Sequence, residues 1–457
     1  MWGRTATELA AGLRAREFSA REVMESHLAR IAEVNPRVNA IVTLLEPELA
    51  LAAADAADRA PSASRGMLHG LPVAVKDLED TAGMRTTYGS PLFASHVPDA
   101  DSLVVERLGG AGAIVIGKTN TPEFGAGSQT FNAVFGATRN PWDLTKTPGG
   151  SSGGAAAAVA SGMLPFADGS DLGASVRNPA AMCNLVGLRP SPGRIPDHGP
   201  GDPWNPLPVL GPIARTVEDV ALLLSALAGP DPRDPLSLAE PFAGVAEGDV
   251  RGLRIGWSRD VGGLPVDPAV TAVLEERRAT LVELGCVVEE AEPDFGGADE
   301  CFEVLRGVTF AGAFKEILHE VKPTLAGNVR FGLSLTPERI ARAYALRGEL
   351  YARMREFLDV YDVFAAPVTQ VPAFDVELEF PAEIAGVRMG SYLEWFRSCS
   401  RITVTSHPAV AVPAGFTADG LPVGLQLVGR SRGEAELLRL ARAFTEATGL
   451  TSRRPEL

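Results

Sequence analysis

Between Thr147 and Ala180 the chain reads TPGGSSGGAAAAVASGMLPFADGSDLGASVRNPA, and few folds can accommodate such a stretch. Glycine brackets serine twice, first in Gly149-Gly150-Ser151-Ser152-Gly153-Gly154 and again in Gly173-Ala174-Ser175. Glycine reaches backbone conformations closed to other residues, so both groups of hydroxyls are offered on tightly bent main chain. The run from Gly153 to Ser161 predicts a helix whose small side chains let its neighbours approach closely.

Three motif readings compete for this stretch. A phosphate loop requires a lysine just before the helix, and none is present. A nucleophile elbow is matched formally by Gly149-x-Ser151-x-Gly153, with His407 far downstream to complete a triad. An elbow follows a buried strand, however, and Asn140 to Pro148 is polar and turn-rich. The third reading makes a lysine the base. The chain has only five lysines, Lys76, Lys118, Lys146, Lys315 and Lys322, and arginine carries nearly all of its other positive charge. Lys76 closes the apolar run His69-Gly70-Leu71-Pro72-Val73-Ala74-Val75-Lys76, which predicts a buried strand. Arginine keeps its proton in proteins, whereas a desolvated lysine can lose it. Bringing a lysine from ~10.4 to ~7 takes about 3 units, or roughly 4 kcal/mol, and burial can supply that. The alternative from spacing alone is an ion pair with a carboxylate such as Asp77. No S-x-x-K occurs, which removes the β-lactamase type of serine-lysine site.

Composition narrows the setting. At 457 residues and 46% hydrophobic content the chain can bury a large core. A net charge of -15 argues against a nucleic-acid or anionic-membrane surface. Cys183, Cys286, Cys301 and Cys399 lack C-x-x-C spacing and read as buried free thiols in a reducing compartment. The six histidines show no ligand spacing, so no metal site is read. With neither a signal-like N-terminus nor a ~20-residue apolar span, the expected location is cytoplasmic.

Along the chain, a capping box at Ser19-Ala20-Arg21-Glu22 starts a helix that Asn35-Pro36 is expected to stop, and a second helix runs from Leu45 to Arg59. The Lys76 strand, a helix from Asp101 to Leu108 and a strand from Gly112 to Gly117 resemble a βαβ step. Strands are expected at Leu253 to Trp257, Cys286 to Glu289, Val363 to Ala366, Ala409 to Val412 and Val423 to Val428, with a turn at Asp419-Gly420. Helices are expected from Pro268 to Gly285, over most of Asp299 to Phe357, and from Arg432 to Thr448. With no internal repeat or linker, 1–457 reads as a single domain. Its parts are a helical cover over 1–65, a catalytic core over 66–230, a mixed region with helices lining a cleft over 231–400, and closing strands and helix over 401–457.

GLPVAVKDL at Gly70 to Leu78, GAIVIGKTNTPEF at Gly112 to Phe124, NPWDLTKTPGGSSGGAAAAVASG at Asn140 to Gly162 and GSDLGASVRNPA at Gly169 to Ala180 together resemble the amidase signature family. The likeness continues through GPIARTVEDVALLL, PAVAVPAGF and GLPVGLQLVG, and so covers most of the chain. The resemblance implies an α/β fold, one domain with a large mixed β-sheet covered by helices on both faces, and cofactor-independent cleavage of amide bonds. It implies Lys76 as base, Ser151 as a cis-serine relay following a cis bond from Gly150, and Ser175 as the nucleophile forming an acyl-enzyme. The backbone N–H groups of Leu172, Gly173, Ala174 and Ser175 would form the oxyanion hole. Ser152, Ser170, Asp171 and Arg177 would support this set.

Two residues depart from the family's usual aspartate-threonine-glycine-glycine-serine run. Leu172 removes a hydroxyl, and Ala174 adds a methyl group that would strain the turn if its φ were positive. For Arg177, pairing with Asp171 is favoured over gripping a substrate carboxylate. Tyr88, Gly125, Gly127, Gln129 and Phe131 are read as lining the substrate pocket, and Phe302, Phe310 and Phe314 as an apolar wall or as core. The Asp197 to Pro206 loop is read as a specificity loop. The expected partner is a small-molecule amide, aryl amides included, with esters, carbamates or anilides as related substrates, and a homodimer is left open. Two alternatives remain: the glutaminase component of a tRNA-dependent amidotransferase, and an inactive binding protein of the same fold.

Overall fold

The computed structural model describes residues 1–198 and 202–457. The expected specificity loop therefore lies partly outside the described residues. In its described part, Asn205 Nδ2 donates to Thr309 Oγ1 at 3.0 Å.

Two sheets organise the chain among the described residues. The smaller has three strands, β1 (Ile41–Leu44), β2 (Pro72–Lys76) and β3 (Ile114–Thr119), in the order β1-β3-β2. The β2 and β3 strands pair in parallel, as the βαβ pattern predicts, with the helix Leu103–Gly110 as the crossover. Every residue of β2 is buried, which is why it reads as an unbroken apolar run ending in lysine.

A two-residue ribbon, β4 (Phe131–Asn132) with β5 (Gly136–Ala137), precedes the glycine-serine stretch. The larger sheet then takes in β6 (Phe166–Asp171), β7 (Val186–Arg189), β8 (Val209–Ala214), β9 (Arg254–Trp257), β10 (Val287–Glu290) and β11 (Val363–Pro367). After a second ribbon of β12 (Glu383–Ile384) and β13 (Val387–Arg388), it is completed by β14 (Ala409–Phe416) and β15 (Pro422–Val428). Its order is β10-β9-β11-β15-β14-β7-β8-β6. Pairing is parallel across β10, β9 and β11 and antiparallel beyond, so the sheet is mixed, as the family resemblance implied. The turn at Asp419-Gly420 joins β14 to β15, with Gly420 at φ 80.

Composition gave no warning of β6, whose Asp168, Gly169, Ser170 and Asp171 are poor strand formers. Tertiary pairing overrides that preference. β6 pairs with β8 at the edge of the large sheet and packs against β2 of the small one, so it joins the two.

Helices cover these sheets. The capping box at Ser19 forms with Glu22. The helix it starts does not stop at Asn35-Pro36 but runs from Ala20 to Val38. Pro36 lies in the last turn, where the missing N–H costs a single ladder bond, and Asn39 in the left-handed region ends the helix. The helix Pro268–Glu283 has the expected Asp267 cap and first-turn proline. The stretch Asp299 to Phe357 holds the helices Ala298–Phe314, Pro323–Leu333 and Pro337–Val360. No helix among the described residues is long and apolar enough to cross a membrane.

Candidate active site

Lys76 stands at the end of β2 with no solvent exposure. Its ammonium donates to Ser151 Oγ at 2.7 Å, Ser152 Oγ at 2.9 Å and Ser170 Oγ at 3.0 Å. Asp77 is not its partner, because that carboxylate accepts from the Thr87 backbone at 3.1 Å and the Thr87 hydroxyl at 2.5 Å. Burial pushes the Lys76 ammonium down to about 8, against the opposing pull of Asp168, Glu79 and Asp171. Asp168 also accepts the backbone N–H of Lys76 at 3.1 Å, and its own burial raises its carboxyl to about 6.

The main chain holding Ser151 is fixed from several sides. The Gly150–Ser151 peptide is cis. Ser128 Oγ donates to Gly150 O at 3.0 Å, and Thr130 Oγ1 donates to Gly149 O at 2.9 Å while accepting from Gly153 N at 3.0 Å. A Cβ on Gly150 would lie 2.8 Å from the Gln129 backbone, so only glycine fits between the two segments.

Ser175 is tied to this nest through the main chain, since Ser152 N donates to Ser175 O at 3.1 Å. Among the described residues, no hydrogen bond joins the Ser175 and Ser151 hydroxyls. The turn before Ser175 is pinned by Asp171, which bonds Arg177 at 3.0 Å through each of two nitrogens and also accepts from Val176 N at 3.1 Å. Burial alone would raise the Asp171 carboxyl, but Arg177 and Arg189 bring it down to about 2. Arg177 is fully buried and further donates to Gly173 O, Cys399 O, Thr403 Oγ1 and Gln426 Oε1. It is thus occupied in holding the turn. Ala174 does not have a positive φ, so its methyl group leaves the turn unstrained. Among the described residues, the backbone N–H groups of Leu172, Gly173, Ala174 and Ser175 make no hydrogen bond.

The expected pocket residues divide by position. A Cβ on Gly125 would lie 3.6 Å from Ser151 Oγ, and one on Gly127 would lie 3.5 Å from Lys322 Nζ. Gln129 packs against Gly150, donates to Val376 O at 2.6 Å and leaves Oε1 buried without a partner. The Phe131 ring lies 5.1 Å from the Lys322 ammonium. Tyr88 stacks on Phe124 at 6.4 Å, and Phe124 lies 4.9 Å from Phe314. Both Tyr88 and Phe124 adopt positive φ, an uncommon conformation for large side chains. His407 bonds Thr405 O and stacks on Tyr351, with no bond to either serine.

Sequence reasoning passed over several residues here. Asp168 and Lys322 touch the site only through tertiary packing, and nothing local marks them. Phe396 likewise reaches the turn before Ser175 from far along the chain, 3.1 Å from a Cβ on Gly173. Ser128 and Thr130 lie within a segment already singled out, and their spacing on the two sides of Gln129 is the signal that could have found them.

Known proteins resemble this chain over nearly its whole length. The model of the amidase family matches residues 22–438. An acylamidase of Rhodococcus erythropolis is 37% identical, the alignment covering 99% of this chain and 97% of that protein. The A-type subunit of glutamyl-tRNA(Gln) amidotransferase from Moorella thermoacetica is 38% identical over 99% of this chain and 98% of its own. Among solved structures, a bacterial aryl acylamidase of the amidase signature enzymes superposes with a TM-score of 0.91 at 28% identity, covering 99% of both chains.

Proposed function

Since the chain belongs to the amidase signature family, we propose that it hydrolyses the C–N bond of a small or aryl amide through an acyl-enzyme on Ser175. The observation that carries this reading is the 2.7 Å contact from Lys76 Nζ to Ser151 Oγ, made by a buried lysine with no carboxylate bonded to its ammonium among the described residues. With its ammonium at about 8, roughly a tenth of Lys76 is neutral at pH 7, enough to act as a base.

Neutral Lys76 takes the proton of Ser151 while Ser151 takes that of Ser175, and Ser175 Oγ attacks the substrate carbonyl. Substrate binding closes the contact between the two serines, as catalytic hydrogen bonds commonly tighten in the complex. The free N–H groups from Leu172 to Ser175 receive the oxyanion. The proton returns through Ser151 to the leaving nitrogen. Water then cleaves the ester on Ser175 by the same relay.

Leu172 supports an apolar or aryl substrate, because it packs in a cluster with Phe124, Phe310 and Phe314. The similarity to the A-type subunits of amidotransferases supports a second reading, in which the chain releases ammonia from glutamine within a complex. A panel of p-nitroanilides, primary amides, esters, carbamates and glutamine separates the two. Normal turnover by Ser175→Ala or Lys76→Ala would end the proposed mechanism.

A further inference from the structure

Arg306 is a buried cation with no anion paired to it among the described residues. It stands on the helix Ala298–Phe314 and is 4% exposed. Its guanidinium donates to Asn328 Oδ1 at 2.5 Å and to the Tyr392 hydroxyl, both neutral. The Phe310 ring lies 3.8 Å from it and the Tyr392 ring 5.4 Å. Among the described residues no carboxylate pairs with it, and burial lowers its pKa with only Tyr392 opposing. The two buried arginines that hold the turn before Ser175, Arg177 and Arg189, are by contrast both paired with Asp171. Glu379 is paired with Lys322 at 3.5 Å, and Glu303, one turn before Arg306 on the helix, with Arg397 at 3.1 Å.

The position matters as much as the charge. Phe302, Arg306 and Phe310 recur every fourth residue and so share one face of their helix. At one end of that face, Phe302 Cζ lies 2.8 Å from where a Gly173 Cβ would be. At the other, Phe310 packs with Ala126 and Leu172. Phe396 lies 6.1 Å from Phe302 and 6.3 Å from Tyr392, closing the ring of aromatics. The backbone position of Arg306 is therefore about one helical turn, ~6 Å along the axis, from that of Phe302, whose ring touches the turn before Ser175.

An uncompensated buried charge costs several kcal/mol unless an opposite charge arrives. A guanidinium presents five N–H donors in a planar fork suited to a carboxylate, and among the described residues two are used here. We propose that Arg306 receives a carboxylate carried by the substrate, so that the amide cleaved at Ser175 bears a carboxylate separated from the scissile bond by an apolar spacer. This rests on the amide-hydrolase reading above. The aromatic walls hold the spacer, and the arginine fixes its far end.

The test uses two pairs of amides that differ only in a carboxylate against a methyl group. Glutaric acid mono-p-nitroanilide and pentanoyl p-nitroanilide place it on the acyl side. 4-Butyramidobenzoate and its 4-methyl counterpart place it on the amine side. In the wild type, kcat/KM favours the carboxylate member of one pair by about 10-fold or more, the size of a charge-assisted hydrogen bond. That ratio falls toward one in Arg306→Gln, and Arg306→Lys, which keeps the charge without the fork, retains part of it. A wild-type ratio near one in both pairs overturns the proposal. So does a drop of both members alike in Arg306→Gln, which is what a merely structural arginine produces. Should Arg306→Gln not fold, the Arg306→Lys ratio decides: unchanged from wild type, it overturns the proposal. If no amide is turned over, the amide-hydrolase reading falls by itself. Calorimetric binding of 4-butyramidobenzoate and glutaric mono-p-nitroanilide then decides the carboxylate site: loss of binding in Arg306→Gln supports it, and equal binding, or none to the wild type, overturns it.

Discussion

Replacing Lys76 by methionine separates what this residue does for chemistry from what it costs the fold. The ammonium is fully buried, and its pKa falls from 10.5 to about 8. Below pH 8 the lysine is charged in both the folded and unfolded chain, and its burial penalty is present in full. Between about 8 and 10.5 the unfolded chain holds a proton that the folded chain has released, so folded stability rises with pH. Above 10.5 both forms are neutral and the penalty is gone. At 1.36 kcal/mol per unit, the shift corresponds to about 3 kcal/mol. Urea unfolding of the wild type and of Lys76→Met, measured from pH 7 to 10.5, gives the difference in stability at each pH. That difference moves in favour of the wild type by about 3 kcal/mol across the window, whatever the pH-independent effects of lost hydrogen bonds and changed packing. Groups that do not interact with Lys76 titrate alike in both proteins and cancel. The wild-type kcat/KM rises through a midpoint near the same value of about 8. A stability difference that stays flat with pH would falsify the claim that Lys76 is destabilised as a cation.

Three further expectations follow from the same geometry. Asp168 favours the charged form of Lys76, so Asp168→Asn moves the midpoint of the pH–rate profile to lower pH, and a midpoint that stays put or rises contradicts that role. Arg177→Met leaves Asp171 buried with Arg189 as its remaining ion-pair partner, so urea unfolding is expected to show a loss of about 3–5 kcal/mol together with a fall in kcat; unchanged stability argues against the pinned turn. Gly173→Ala drives a methyl group to 2.8 Å from Phe302 Cζ and 3.1 Å from Phe396, which is expected to cost about 1–3 kcal/mol and to slow turnover by disturbing the proposed oxyanion hole, as thermal unfolding and p-nitroanilide assays would measure.

The sequence made the lysine strand legible because full burial leaves an unbroken apolar run, and it made the Ser151 nest legible because only glycine tolerates such close main-chain contact. The strand β6 escaped notice for the opposite reason. Its Asp168, Ser170 and Asp171 look like a loop until Arg177, Lys76 and β8 satisfy them from elsewhere in the chain. Pro36 misled in a different way, since a proline in a final helical turn removes little. Arg306 could be placed on a helix from sequence. Its want of a carboxylate could not be seen there, because that depends on which faces of three distant segments meet around it.

The separation of the two sheets bears on when this chain becomes chemically competent. Lys76 arrives on the three-stranded sheet, whereas Ser170 belongs to the edge of the eight-stranded one, and the two meet only where β6 lies against β2. Ser151 and Ser152 reach the same ammonium from a nest that belongs to neither sheet. With β6 undocked from β2, the ammonium lacks its bond to Ser170 and keeps at most the two from the nest. On the proposed mechanism, the surroundings that set the base are therefore complete only in the assembled chain, and hydrolytic competence follows assembly rather than preceding it.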